Sequence, residues 1–156
     1  MSIQKSEIKL DVNGKKVNAY LAAPENGGPG VLLLHAWWGL KPFFKDVCDR
    51  LAEQGFVALA PDYYQGRIAA TIDEANAMLE QRDDELMGDT IKAAHDHLVA
   101  LTKQPLGVIG FSMGASWALL VAAKEPDVAA MVMFYGAGEA DYSRVKAKVL
   151  GHFSDV

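Results

Sequence analysis

The segment Gly110-Phe111-Ser112-Met113-Gly114 is the one whose residue types and spacing most plainly suggest chemistry. It lies between a short apolar run at 108–111, which reads as a buried strand, and a small-residue apolar run at 115–124, which reads as a helix. A strand that turns abruptly into a helix forces the middle residue into a strained conformation, and flanking glycines remove the side chains that would clash there. The hydroxyl of Ser112 would then stand clear of the sheet as a nucleophile. The start of the following helix would aim backbone N–H groups, chiefly that of Met113, at an oxyanion forming on an attacked carbonyl. The competing reading is bland: glycines around a serine also arise wherever a glycine-rich turn follows a strand, including in doubly wound nucleotide-binding folds.

The elements that must position this segment follow from periodicity. Residues 7–12 alternate polar and apolar, Asn13-Gly14 follows, and 17–23 resumes an extended pattern, which predicts a β-hairpin at an antiparallel sheet edge. Residues 31–34 are apolar on both faces, as a central parallel strand covered by helices should be. Phe44, Val47, Cys48, Leu51 and Ala52 fall at helical spacing after Pro42, with Gly55 where a C-terminal cap belongs. Strands are expected again at 57–60, 128–135 and 149–153, and one long polar helix from about 72 to 101. Strands alternating with helices, with no internal repeat, predict a single α/β domain over residues 1–156 with a mostly parallel sheet.

Composition narrows the function. At 156 residues and 51% hydrophobic content the chain can bury one sizeable core. A net charge of −5 gives no basic footprint for nucleic acid or an anionic membrane, and no apolar run approaches the ~20 residues of a membrane span. The single cysteine, Cys48, cannot form an intrachain disulfide, and residues 1–7 hold no apolar stretch of signal-peptide length. These features lead to the expectation of a cytoplasmic protein acting on a small molecule.

The chain resembles the dienelactone hydrolase family of the α/β-hydrolase superfamily. The matching pieces are His35-Ala36-Trp37-Trp38-Gly39-Leu40, residues 46–56, Ala60-Pro61-Asp62-Tyr63-Tyr64-Gln65-Gly66, the Ser112 turn, Phe134-Tyr135-Gly136 and Val149-Leu150-Gly151-His152-Phe153. Their order and spacing together are specific. The resemblance implies the α/β-hydrolase fold. It also implies cleavage of a carboxylic ester, lactones and enol-lactones included, through an acyl-enzyme intermediate without metal or organic cofactor. Under it the loop after the strand at 31–34 supplies the second oxyanion donor, by position the Trp37 N–H. Trp37 and Trp38 either wall the acyl pocket or pack beneath the loop. Many of these enzymes carry cysteine where this chain has Ser112, and glutamate where it has Ala36; serine there is more like the general esterases of the superfamily.

In this fold the order along the chain is nucleophile, acid, histidine. The resemblance puts the acid about one residue past Val156 and the histidine later still, so the expectation is a sequence that stops before its acid, base and last strand. Two alternatives are a short form without catalysis that binds or self-associates, through an exposed edge at 149–153, and a chain that was simply cut. Among residues present, Asp155 is close to the acid's place but slightly early. His35 ends a strand at the active edge and is expected to orient the Trp37 loop rather than act as a base. His95 and His97 are expected on the surface of the long helix, and His152 to pack within its strand. Arg67 and Asp83-Asp84-Glu85 are expected to be solvated, and Cys48 to belong to the core.

Overall fold

Asn13 and Gly14 both adopt positive φ, 52° and 82°, which a two-residue hairpin turn of the primed type needs. They join β1 (Ile3–Val12) to β2 (Lys15–Pro24) in antiparallel register from Ile3 opposite Pro24 to Val12 opposite Lys15. The computed structural model describes residues 2–155.

The hairpin is one edge of a seven-stranded sheet. After it come β3 (Gly30–Leu34), α1 (Pro42–Glu53), β4 (Val57–Pro61), α2 (Ile72–Glu80), α3 (Asp84–Thr102), β5 (Leu106–Phe111), α4 (Met113–Lys124), β6 (Val128–Phe134), a short 3-10 turn at Tyr142–Arg144, and β7 (Lys148–His152). The strand order is β1-β2-β4-β3-β5-β6-β7, with β2 antiparallel to β4 and every pairing from β4 through β7 parallel. The chain leaves β3 outward to β4, then returns past β3 to form β5. Loops leaving the C-terminal ends of β3 and β5 therefore diverge, and such a switch point is where open α/β sheets form their ligand crevice.

All five residues of β3 and of β4 are buried, as strands covered on both faces require. Leu33 and Ala58 pack with Phe44, Cys48 and Ala52 of α1 on one face. Leu32, Leu34, Leu59 and Val108 pack with Met87, Ile91, Ala94 and Leu98 of α3 and Ala118, Leu119 and Ala122 of α4 on the other. Cys48 is fully buried in the α1 layer, and its thiol is pushed up to about 12 by burial, as suits a core residue. Gly55, φ 93°, follows α1 at the position where a left-handed residue ends a helix.

Two expectations need correction. The helical region predicted as continuous from about 72 to 101 is two helices broken at residues 81–83. Asp83 is the reason: its carboxylate accepts the Leu86 N–H at 3.0 Å and starts α3 as an N-cap, while Gln81 ends α2. The acidic run is thus not merely solvated: Asp83 caps the helix and Asp84 pairs with Arg82 at 2.6 Å. The second correction concerns His95, which is buried on the inner side of α3, whereas His97 is exposed as expected.

Asp83→Ala should lower unfolding free energy by about 1 kcal/mol, and Asp83→Gly by only a few tenths, in equilibrium urea denaturation. No loss in either variant would show that the capping bond contributes nothing.

Candidate active site

The strand β5 ends against its helix with no spare room. Ser112 has φ 54° and ψ −115°, the left-handed side of the map for a residue with a Cβ, and its N–H is tied to the Phe134 carbonyl at 2.9 Å. Such a conformation costs on the order of 1–3 kcal/mol and persists only where the surroundings enforce it. The surroundings here are backbone. A Cβ on Gly110 would sit 2.2 Å from the Gly114 oxygen, and one on Gly114 would sit 2.2 Å from the Leu34 oxygen and 2.7 Å from that of His35. A Cβ on Gly136 would lie 2.2 Å from the Ser112 oxygen. The sequence reading anticipated the first two glycines; Gly136, which follows β6 and backs the same turn, was recognised only as part of a resembling segment.

Close approach of Gly114 to Leu34 and His35 sets the turn directly against the loop leaving β3. As the first helical residue, Met113 has no intrahelical acceptor for its N–H, and among the described residues neither its N–H nor that of Trp37 is taken by a backbone carbonyl. The Met113 side chain is held from behind by the Tyr64 hydroxyl, 3.4 Å from its sulfur.

The loop itself hangs on His35, which is wholly buried. Its ring stacks on Tyr63 at 3.8 Å between centroids and 9° between planes, its Nδ1 lies 2.8 Å from the Ala36 carbonyl, and the Tyr63 hydroxyl donates to the His35 carbonyl. Burial drives the imidazole down to about 4, outweighing the Ala36 contact, so it is neutral at ordinary pH with the Nδ1 proton on Ala36. His35 is therefore a positioning residue for the loop, in line with the expectation, and Tyr63 is the partner that sequence reasoning missed. The available signal was Tyr63 just past β4, the strand beside β3.

A cleft of about 990 Å³ opens at Ser112 and runs between α3 and α4. Trp37, Met113, Trp117 and Leu120 give it an apolar wall, with Arg82 and Lys92 at its rim. Trp37 both lines the cleft and packs on the core, so the two readings of that residue coexist. Trp38 packs on the core beside it, with the Lys41 ammonium 4.9 Å over its ring.

The remaining candidates lie elsewhere. Arg67 is exposed and donates to Gln81 at 3.1 Å. His152 stacks flat on Phe134, centroids 4.7 Å apart, as packing within its strand required. Asp155 is exposed. His95 is engaged by Asp96 and Asp127, each at 2.9 Å. Among the described residues, no histidine hydrogen-bonds Ser112.

Comparison with known proteins gives a consistent picture. The profile of the dienelactone hydrolase family matches residues 17–155. The protein usf of Aquifex pyrophilus is 42% identical over 141 residues, which are 83% of this chain and 60% of that protein. A putative carboxymethylenebutenolidase of Aquifex aeolicus is 40% identical with the same coverage. The chain thus spans about 60% of the length of these relatives. The crystal structure of a putative dienelactone hydrolase from Klebsiella pneumoniae superposes with a TM-score of 0.78 at 26% identity, covering 97% of this chain and 72% of the other.

The neutral His35 makes a pH prediction. Its folded value of about 4 is below its ordinary 6.5, so as pH falls through that window the unfolded chain gains a proton that the folded chain refuses. The stability His35 contributes is full above pH 6.5 and declines by about 3 kcal/mol on reaching pH 4. In urea titrations the advantage of the parent over His35→Asn should shrink by about that amount between pH 7 and 4; a constant difference would contradict the burial argument.

Proposed function

The chain belongs to the dienelactone hydrolase family, and from that premise we propose that it carries the nucleophile and oxyanion hole of a serine hydrolase acting on small carboxylic esters, lactones included. The observation that carries the reading is Ser112, strained at φ 54° between β5 and α4 and facing a cleft with an apolar wall. Nothing in a purely structural turn requires a hydroxyl at the residue that bears the strain, with its side chain making no capping bond.

In the proposed reaction the Ser112 oxygen attacks the ester carbonyl and loses its proton to a base. The oxyanion that forms is held by the Met113 and Trp37 N–H groups, and the alcohol, or the opened lactone's own hydroxyl, leaves an acyl-Ser112 that water then cleaves. The base and its acid partner are not among the groups bonded to Ser112 here. In the family's order both follow the nucleophile along the chain. A lactone substrate is supported by the relative described as a putative carboxymethylenebutenolidase. The buried lone thiol and net charge of −5 suit a cytoplasmic enzyme of small molecules.

A second reading is a module that self-associates. It is favoured by β7, all five of whose residues are exposed, with Val149 and Leu150 each more than half accessible. Light scattering on the 156-residue chain should show dimers or larger species under this reading, and a concentration-independent monomer rules it out.

For the hydrolase, a fluorophosphonate probe should label a form extended past Val156, and Ser112→Ala should abolish both labelling and ester turnover, the latter by about 10³-fold or more. Failure of the extended form to label would overturn the assignment of Ser112.

A further inference from the structure

At the end of the cleft remote from Ser112, three potential ligand groups meet on two rigid supports. His95 projects from α3 with its side chain only 5% exposed, and its Nε2 faces Asp127 Oδ1 at 2.9 Å and Glu125 Oε2 at 4.0 Å. Glu125 and Asp127 flank Pro126 in the turn between α4 and β6. That turn is closed by the Val128 N–H on the Glu125 carbonyl, and the Asp127 carbonyl accepts the Leu106 N–H. One ligand atom from each of the three residues lies within 4.8 Å of the others.

The other ring nitrogen explains why this is more than an ion pair. Nδ1 lies 2.9 Å from Asp96 Oδ1, so both nitrogens face carboxylate oxygens that can only accept. A neutral imidazole has one proton to donate. If Nδ1 donates to Asp96, the Nε2 lone pair is left pointing at an Asp127 oxygen, a contact that needs a cation between or a second proton. A carboxylate on one imidazole nitrogen with a metal on the other is the usual arrangement by which proteins orient a histidine ligand. Charge favours the same answer: among the described residues, Lys92 is the one lysine or arginine paired with Asp96, Glu125 or Asp127, bonding Asp96 at 2.5 Å and approaching Glu125 at 3.6 Å.

We propose that His95 Nε2, Glu125 and Asp127 form a binding site for a divalent cation of the Zn²⁺ type, with Asp96 orienting the histidine. One nitrogen and two carboxylate oxygens suit Zn²⁺, with water as a fourth ligand. Ligand atoms about 2.1 Å from a tetrahedral ion stand roughly 3.4 Å apart. The Asp127 contact must therefore open slightly and the Glu125 contact close slightly, which side-chain rotation supplies. Lys92 keeps Asp96 and gives up its long contact with Glu125. The ion would lock α3 to the α4–β6 turn, closing the far end of the cleft, independently of chemistry at Ser112.

The test uses the chelator-stripped chain and ZnCl₂ in equilibrium dialysis, with thermal unfolding alongside. The chain should bind one Zn²⁺ and unfold at a higher temperature when loaded. The double variant Glu125→Gln, Asp127→Asn leaves the buried histidine in place and should weaken binding at least about tenfold and remove the thermal shift. Ser112→Ala should bind as the parent does. Absence of binding by the parent would show that the three groups do not hold the metal. Undiminished binding by the double variant would place Zn²⁺ on other residues. Either result overturns the proposal.

Discussion

The backbone of the β5–α4 turn has no room for a Cβ at three positions, and the site depends on that. Gly110 lies against Gly114, Gly114 against the Leu34 and His35 carbonyls, and Gly136 against the carbonyl of Ser112. These contacts involve main chain on both sides, so side-chain rearrangement cannot relieve a substituent. They fix Ser112 from three directions, from its own strand, from the loop after β3 and from the segment after β6, and a residue so over-determined can keep a backbone conformation that would otherwise relax.

Strand order supplies the other half of the arrangement. Because β3 and β5 are neighbours while the chain between them visits β4, the two loops at their C-terminal ends open away from one another and leave a crevice. The loop after β3 would be free to move if it rested only on its own sequence. It rests instead on a buried His35 stacked on Tyr63, with the tyrosine hydroxyl on the His35 carbonyl. Neutrality of that imidazole is what lets it serve as packing material. A charged ring there would have no acceptor for its second proton, since Nε2 has no partner among the described residues.

What could be read from the sequence follows a physical rule. Local signals were legible: the Asn13-Gly14 turn, the doubly apolar β3, the helical spacing from Phe44 to Ala52 and the glycines around Ser112 each specify their own conformation within a few residues. Features set by distant partners were not. His95 sits in a polar helix whose periodicity gives no warning that Asp127, 32 residues on, would reach its ring. The break between α2 and α3 was misread because Gln81-Arg82-Asp83 are all tolerable in a helix; only the capping bond of Asp83 shows which competing conformation won. Tyr63 was visible as part of a turn, but its stacking on His35 requires knowing that β4 lies beside β3.

The two faces of the sheet are finished unequally, and this bears on how much of the site stands without further support. On one face α3 and α4 bury β3, β4, β5 and β6 under a continuous apolar layer. On the other, α1 packs on β2, β3 and β4. Farther along this face Phe111, Phe134 and His152 lie ring on ring, with Phe43 and Tyr135 more than half exposed around them. Stacked aromatics on adjacent parallel strands help keep β5, β6 and β7 in register there, and α1 meets the stack at Phe111 through Phe43 and Phe44. The turn at Ser112 draws its restraints from β3, α4 and Gly136, and its helix belongs to the closed face. Ser112 and the neighbouring N–H groups of Met113 and Trp37 are therefore held by the covered half of the molecule.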